Sequence, residues 1–366
     1  MIVDLGALAR NADAWRAFSG GRRIYAVVKA DAYGIGTDRA VRALDQHVDG
    51  WCVTSLEEGR AVRRASGRRI ICIAALPEEH VAPAVALGME ISLASARDVR
   101  LLERVAAEAG RRVTAQLAVR SVAGWIGVAP HEAGSLAREI VASRGIAVDE
   151  AWTHLSGEAE SQQQLAAFQA AIQLARSAGL ELPAHHVAST APAIWLAGAM
   201  PGSALRIGIG LFGSMLGTVG STTPALSQVI HVRRPIEHVE HVEPGVGVGY
   251  GARYVTKVGD RLATARFGYA DGMPRTFVNG ESSVAASCGD LAVVAMGMQF
   301  LTCVGHAEAG AEVEVLGPRR PIDVVATAAG VLPHELVLSL AHASRAAGTL
   351  VDSVAPPGYT TCGTSR

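Results

Sequence analysis

The 366-residue chain is poor in charge: Asp, Glu, Lys and Arg make up only 18% of it, and the formal net charge is −1. That balance leaves no basic surplus for a phosphate backbone, which argues against nucleic acid as a partner. Cysteine is scarce. Cys52, Cys72, Cys288, Cys303 and Cys362 are scattered, odd in number and never spaced C-x-x-C. This usage predicts reduced thiols in a cytoplasmic protein. No apolar run approaches the ~18 residues that suggest a membrane span. The opening Met1-Ile2-Val3-Asp4-Leu5 lacks the basic and long apolar regions of a secretory signal. No H-x-D pair or Cys/His cluster at ligand spacing predicts a metal site. The adjacent His185-His186 would point to opposite faces of a strand. No long-period repeat is present.

What is plentiful is apolar and small. Apolar residues reach 49% and glycines number 40, enough for large cores. The length predicts two domains. Over the first 215 residues, short apolar runs alternate with longer helical patterns. Eight runs read as strands: 24–29, 50–55, 70–75, 90–94, 112–119, 149–155, 184–189 and 205–210. Helices are expected at 97–109, 131–143 and 159–178, the first between Ser95 as N-cap and Gly110 as stop. Eight strand–helix units predict an α/β fold with an N-terminal (β/α)8 barrel, and a doubly wound open sheet competes. From about residue 222, short alternating runs punctuated by Gly and Pro predict a mainly antiparallel β domain. Strands are expected at 226–233, 236–242, 259–267, 291–296, 300–304 and 312–316, then helices at 322–330 and 333–347. The boundaries read 1–220 for the barrel, 221–354 for the β domain and 355–366 for a disordered tail.

One segment carries most of the chemistry. In Ile24-Tyr25-Ala26-Val27-Val28-Lys29-Ala30-Asp31-Ala32-Tyr33-Gly34 an apolar strand runs straight into a lysine. At the C-terminal mouth of a barrel such an amine could serve as a nucleophile toward an aldehyde cofactor. Taken alone, it could equally be a surface lysine reaching for water.

The stretch Ala26-Val27-Val28-Lys29-Ala30-Asp31-Ala32-Tyr33-Gly34 resembles the cofactor-lysine signature of the alanine racemase family, usually A-V-V-K-A-N-A-Y-G. The resemblance runs over roughly residues 1–350. It implies a barrel plus β domain, pyridoxal 5'-phosphate held by Lys29 as a Schiff base, and a homodimer whose active sites draw on both chains. Leu205-Arg206-Ile207-Gly208-Ile209-Gly210-Leu211-Phe212-Gly213 is similar to the family's R-x-G stretch, with Phe212 for a common Tyr. Arg206 would then face the pyridine nitrogen, and the backbone N–H groups of Gly208 and Ile209 would bind phosphate. Tyr269, in Gly268-Tyr269-Ala270-Asp271-Gly272, matches the family's second catalytic base, because a racemase needs proton carriers on both faces of Cα. His154 in Trp152-Thr153-His154-Leu155 would stack on the cofactor ring. Tyr33 and Thr190 would supply phosphate hydroxyls. Val246-Gly247-Val248-Gly249-Tyr250-Gly251 matches a family turn.

Four departures gather on the substrate side. Trp125 stands where the family has a carboxylate-gripping arginine, and Arg120 lies nearby. Ala118 replaces a lysine that is often carbamylated. Met296 is kept, with a backbone N–H able to bind carboxylate, but the aspartate after it reads Gly297. The family's last phosphate-binding tyrosine aligns with His342. The cofactor side is therefore mostly intact and the substrate side rewritten. The reading is an amino-acid racemase acting on alanine or on a related, larger amino acid. Its rivals are another reaction of the same cofactor (elimination, aldol cleavage or decarboxylation) and an inactive, partner-binding homologue.

Overall fold

The computed structural model describes residues 1–197, 201–218 and 222–353. The tail read over 355–366, Cys362 within it, and the expected junction at 220–221 lie outside the described residues. The chain opens with strand β1 (Ile2–Asp4) and the helix Leu5–Phe18, which Asp4 caps by accepting the Ala7 N–H at 2.8 Å. Eight strands follow: β2 (Arg23–Val27), β3 (Gly50–Val53), β4 (Arg69–Cys72), β5 (Met89–Leu93), β6 (Val113–Ala118), β7 (Ile146–Trp152), β8 (Ala184–His186) and β9 (Ala204–Ile207). Each falls on a run the sequence marks out.

The eight are parallel, and β9 pairs back onto β2. The seam between β8 and β9 is bridged by Ser203 N–H to His185 O at 2.9 Å and Arg206 N–H to Ala188 O at 3.0 Å. The sheet is therefore a near-closed (β/α)8 barrel, and the doubly wound alternative is set aside. The helix Ala96–Glu108 shows why the local pattern works. Ser95 accepts the Asp98 N–H, Asp98 accepts the Ala94 N–H, and Gly110 stops the helix at φ +62°. Its buried Val99, Leu102, Val105 and Ala106 face the barrel.

The second sheet comprises β10 (Ile230–His241), β13 (Arg261–Ala265), β14 (Ser283–Ala286), β15 (Gly289–Met296), β16 (Leu301–Val304), β17 (Glu312–Leu316) and β18 (Val351–Ser353), with β1 between β10 and β18. It is antiparallel except where β1 meets β18. A small ribbon, β11 (Gly247–Val248) with β12 (Tyr254–Val255), stands beside it. The expected strands 226–233 and 236–242 merge into β10. Pro235 interrupts the pattern without ending the strand, which absorbs it through register shifts on either side. Two helices, Ile322–Ala329 and Pro333–Ala346, return the chain to the barrel mouth. Among the described residues no single helix is long and apolar enough to cross a membrane.

Candidate active site

Lys29 emerges, exposed, two residues beyond β2 at the C-terminal mouth. The next four residues, Ala30, Asp31, Ala32 and Tyr33, form a left-handed turn with φ between +52° and +56°. None is glycine, and each left-handed residue costs roughly 1–2 kcal/mol. The surroundings hold the turn. Glu58 accepts the Ala30 N–H at 2.7 Å and the Thr54 N–H at 2.6 Å. Asp31 accepts the Thr37 N–H at 2.7 Å and its hydroxyl at 3.0 Å, and pairs with Arg345. Gly34 closes the turn at φ +83°. The result brings Lys29 and Tyr33 into one cavity of about 500 Å³.

An anion cradle forms on the far side of this cavity. The buried Tyr33 hydroxyl bonds the Ile209 backbone, and Thr190 Oγ1 accepts the Gly210 N–H at 3.2 Å. Burial raises the Tyr33 pKa, so its hydroxyl keeps a proton to donate. Glycine is required twice here. A Cβ at Gly208 would overlap the Tyr33 hydroxyl, and one at Gly210 would come within 2.8 Å of the Trp15 indole.

Arg206 lines the same cavity and is almost fully buried. It donates to His186 Nδ1 and O, both at 2.7 Å, and to Thr153 O at 2.6 Å. Burial lowers its pKa to about 10, so it remains charged at neutral pH. His154 is held neutral: burial first, then the charges of Arg206 and Lys29, push its pKa down to about 3. Trp125 leans on the His154 ring, centroids 5.1 Å apart, and is 43% exposed. It does not line the cavity.

The structure thus gathers Lys29, Tyr33, His154, Thr190, Arg206, Gly208 and Ile209, and leaves others out. Tyr269 is 37% exposed under the Arg275 guanidinium, and Met296 ends β15 beside it. Neither reaches this cavity within one chain. His342 is corrected. It is exposed against Gly34 and does not line the cavity. The helix presents His334 instead. At 1.5 Å rise per residue, the eight residues from His334 to His342 carry the later side chain about 12 Å along the helix. His334 stacks on Tyr33 at 6.0 Å, and its buried Nδ1 has no hydrogen-bond partner among the described residues. Burial, then Lys29, lowers its pKa. Sequence reasoning finds this helix but has no signal for which of its histidines turns inward.

A free amine, a neutral aromatic face, a buried arginine and an anion cradle around one cavity fit pyridoxal phosphate. Lys29 would hold its aldehyde carbon, the cradle its phosphate and Arg206 its ring nitrogen. The glycine at 208, where any Cβ would strike Tyr33, keeps that cradle open.

Comparison with known proteins agrees. The alanine racemase N-terminal domain matches residues 3–215, and the alanine racemase C-terminal domain matches residues 229–347. A catabolic alanine racemase of Mesorhizobium japonicum is 30% identical over 361 residues, covering 93% of this chain and 90% of the relative. One from Pseudomonas aeruginosa is 30% identical over 356 residues, covering 94% and 97%. The crystal structure of alanine racemase from Streptomyces coelicolor A3(2) has a TM-score of 0.82 at 26% identity, over 96% of both chains. The biosynthetic alanine racemase of Pseudomonas aeruginosa gives 0.81 at 26% identity, over 93% of this chain and 96% of that one. With both halves matched and the cofactor cavity in place, the chain belongs to the alanine racemase family of pyridoxal-phosphate-dependent amino-acid racemases.

Proposed function

We propose that the protein interconverts the L and D forms of an amino acid with Lys29 and Tyr269 as the two proton carriers. The observation that carries this reading is one cavity shared by Lys29, Arg206 and the Tyr33–Gly208–Thr190 cradle. When bound, pyridoxal phosphate withdraws electrons from the substrate and acidifies its Cα–H bond. The chain's own groups do the rest. The cradle anchors the phosphate, with His334 as a further donor in place of His342. Arg206 cannot give up its proton at neutral pH, so it would donate to the ring nitrogen and leave it unprotonated. That weakens charge withdrawal and favours prompt return of a proton to Cα over transamination. His154 would pack on the ring face. Lys29 Nζ takes or gives the proton on one face, and the Tyr269 hydroxyl serves the other.

Tyr269 reaches such a cavity only from a second copy of the chain, so the reading requires a homodimer. Exposed Tyr250, Met298 and Phe300 gather around the Gly297 loop, whose carbonyl accepts the Tyr269 N–H at 3.3 Å, and such apolar patches are a mark of interfaces. The enzyme is assigned to the cytoplasm, in keeping with its free thiols.

For the substrate, Trp125 offers no bidentate grip on a carboxylate. Ile73, Leu155, Leu216 and Leu332 give the cavity an apolar wall. These features favour an amino acid with a side chain larger than alanine's methyl. A panel of single amino acids incubated in D2O and read by chiral chromatography tests the whole reading. Deuterium at Cα with loss of optical activity is expected. Release of ammonia or CO2 without racemisation would assign a different reaction.

A further inference from the structure

Barrel interiors are usually filled with branched apolar side chains. Here a buried polar chain crosses the interior, and its donors and acceptors are fixed at each link. Arg69 grips Glu90 through two bonds of 2.8 and 2.7 Å. Glu150 takes Arg23 at 2.5 Å, Arg69 at 3.2 Å and the Tyr25 hydroxyl at 2.9 Å. In each of these contacts a guanidinium or hydroxyl donates and a carboxylate oxygen accepts. Gln116 is fully buried, with Nε2 at 2.6 Å from Glu90 and 3.3 Å from Glu150. Its amide nitrogen must face them, which turns its oxygen toward His186 Nε2 at 3.0 Å. That nitrogen must therefore carry the imidazole proton. Nδ1 is left bare and accepts from Arg206 at 2.7 Å. Burial, then the charges of Arg206, Arg69 and Arg23, keep His186 neutral.

We propose that Gln116, oriented by Glu90 and Glu150, fixes the His186 tautomer and thereby aims Arg206 at the cofactor cavity. Gln116 is then a positioning residue, four links from the two acids to the ring nitrogen. The opposite tautomer would set an Nδ1–H against the Arg206 N–H, and one of the two side chains would have to turn away. This inference rests on the reading of Arg206 as the ring-nitrogen donor.

The test is titration of the full-length apoprotein with pyridoxal phosphate, followed by fluorescence from about pH 6 to about pH 9, a window that brackets carboxyl groups raised by like charges. Gln116→Leu should bind on the order of tenfold more weakly, as expected for one lost hydrogen bond to a charged group. Gln116→Glu is the informative partner. Its introduced carboxyl faces two carboxylates, holds its proton to raised pH and, while protonated, donates and accepts as the amide does. Its affinity should match the wild type at the acid end and fall away at the alkaline end. A purely structural role would not produce that pH step. Circular dichroism confirms that each variant is folded. Wild-type binding by folded Gln116→Leu, or a Gln116→Glu profile parallel to the wild type, overturns the relay. Arg206→Met separates the two ideas. If it binds like the wild type, the ring-nitrogen assignment fails and takes the relay with it. If it weakens binding while Gln116→Leu does not, the relay alone fails.

Discussion

The Tyr33 hydroxyl occupies the space that any side chain at position 208 would need. Gly208→Ala should therefore swing Tyr33 off the Ile209 backbone and break up the cradle. Losing such contacts to a charged phosphate should weaken cofactor binding by roughly tenfold to a hundredfold. Tyr33→Phe removes only the hydroxyl and should cost less than Gly208→Ala. The reverse order would mean that the glycine at 208 is incidental to the cradle.

Lys29 and Lys257 are the only lysines in the chain. Borohydride reduction of the purified yellow protein, followed by peptide mapping, should place the label on Lys29 alone. Lys29→Ala should leave no reducible adduct. A label on Lys257 would remove the basis of every role assigned at the barrel mouth.

Tyr269→Phe should retain the cofactor, since Tyr269 lies outside the Lys29 cavity of its own chain. Racemisation should fall in both directions by roughly the 10²–10⁴-fold typical of a lost general acid or base, while deuterium exchange at Cα of one enantiomer persists and that of the other is lost. Equal loss of Cα exchange from both enantiomers would count against a two-sided division of labour.

Trp125→Arg restores a side chain able to grip a carboxylate. Turnover of alanine and serine should rise relative to larger substrates, measured as kcat/KM. Unchanged ratios would show that Trp125 takes no part in substrate choice.

His154 links the site to acid stability. The unfolded chain protonates this imidazole near pH 6.5, whereas the folded protein resists until about 3. Across that window the unfolded state binds more protons, so stability falls as pH falls, by roughly 1.4 kcal/mol per pH unit for this one group. His154→Asn should flatten the decline between pH 6 and 4 in urea titrations. An unaltered slope would locate the acid sensitivity elsewhere, with the buried His186 next in line.

The barrel strands are legible because each is a short apolar run closed by polar or glycine residues. The cofactor face is legible because Lys29, Tyr33, Arg206 and Gly208 sit in compact motifs. The polar chain inside the barrel is not. Glu90, Gln116 and Glu150 look like ordinary strand residues, and they meet only through parallel pairing of segments 26 and 34 residues apart. His334 and His342 are equally plausible on a helix whose rotation the sequence does not fix. Tyr269 is legible as a motif, but its working position depends on a second chain.

Among the described residues, strand β1 pairs only with β10 and β18, whose residues follow it by more than 200 positions. At ribosomal speeds of about 5–20 residues per second, it waits on the order of ten seconds or more for its first neighbour to be synthesised. The barrel can close during that interval while these first residues still have an open edge. Completion of the second sheet is thus a late, clasp-like event that ties Ile2–Asp4 to Val351–Ser353.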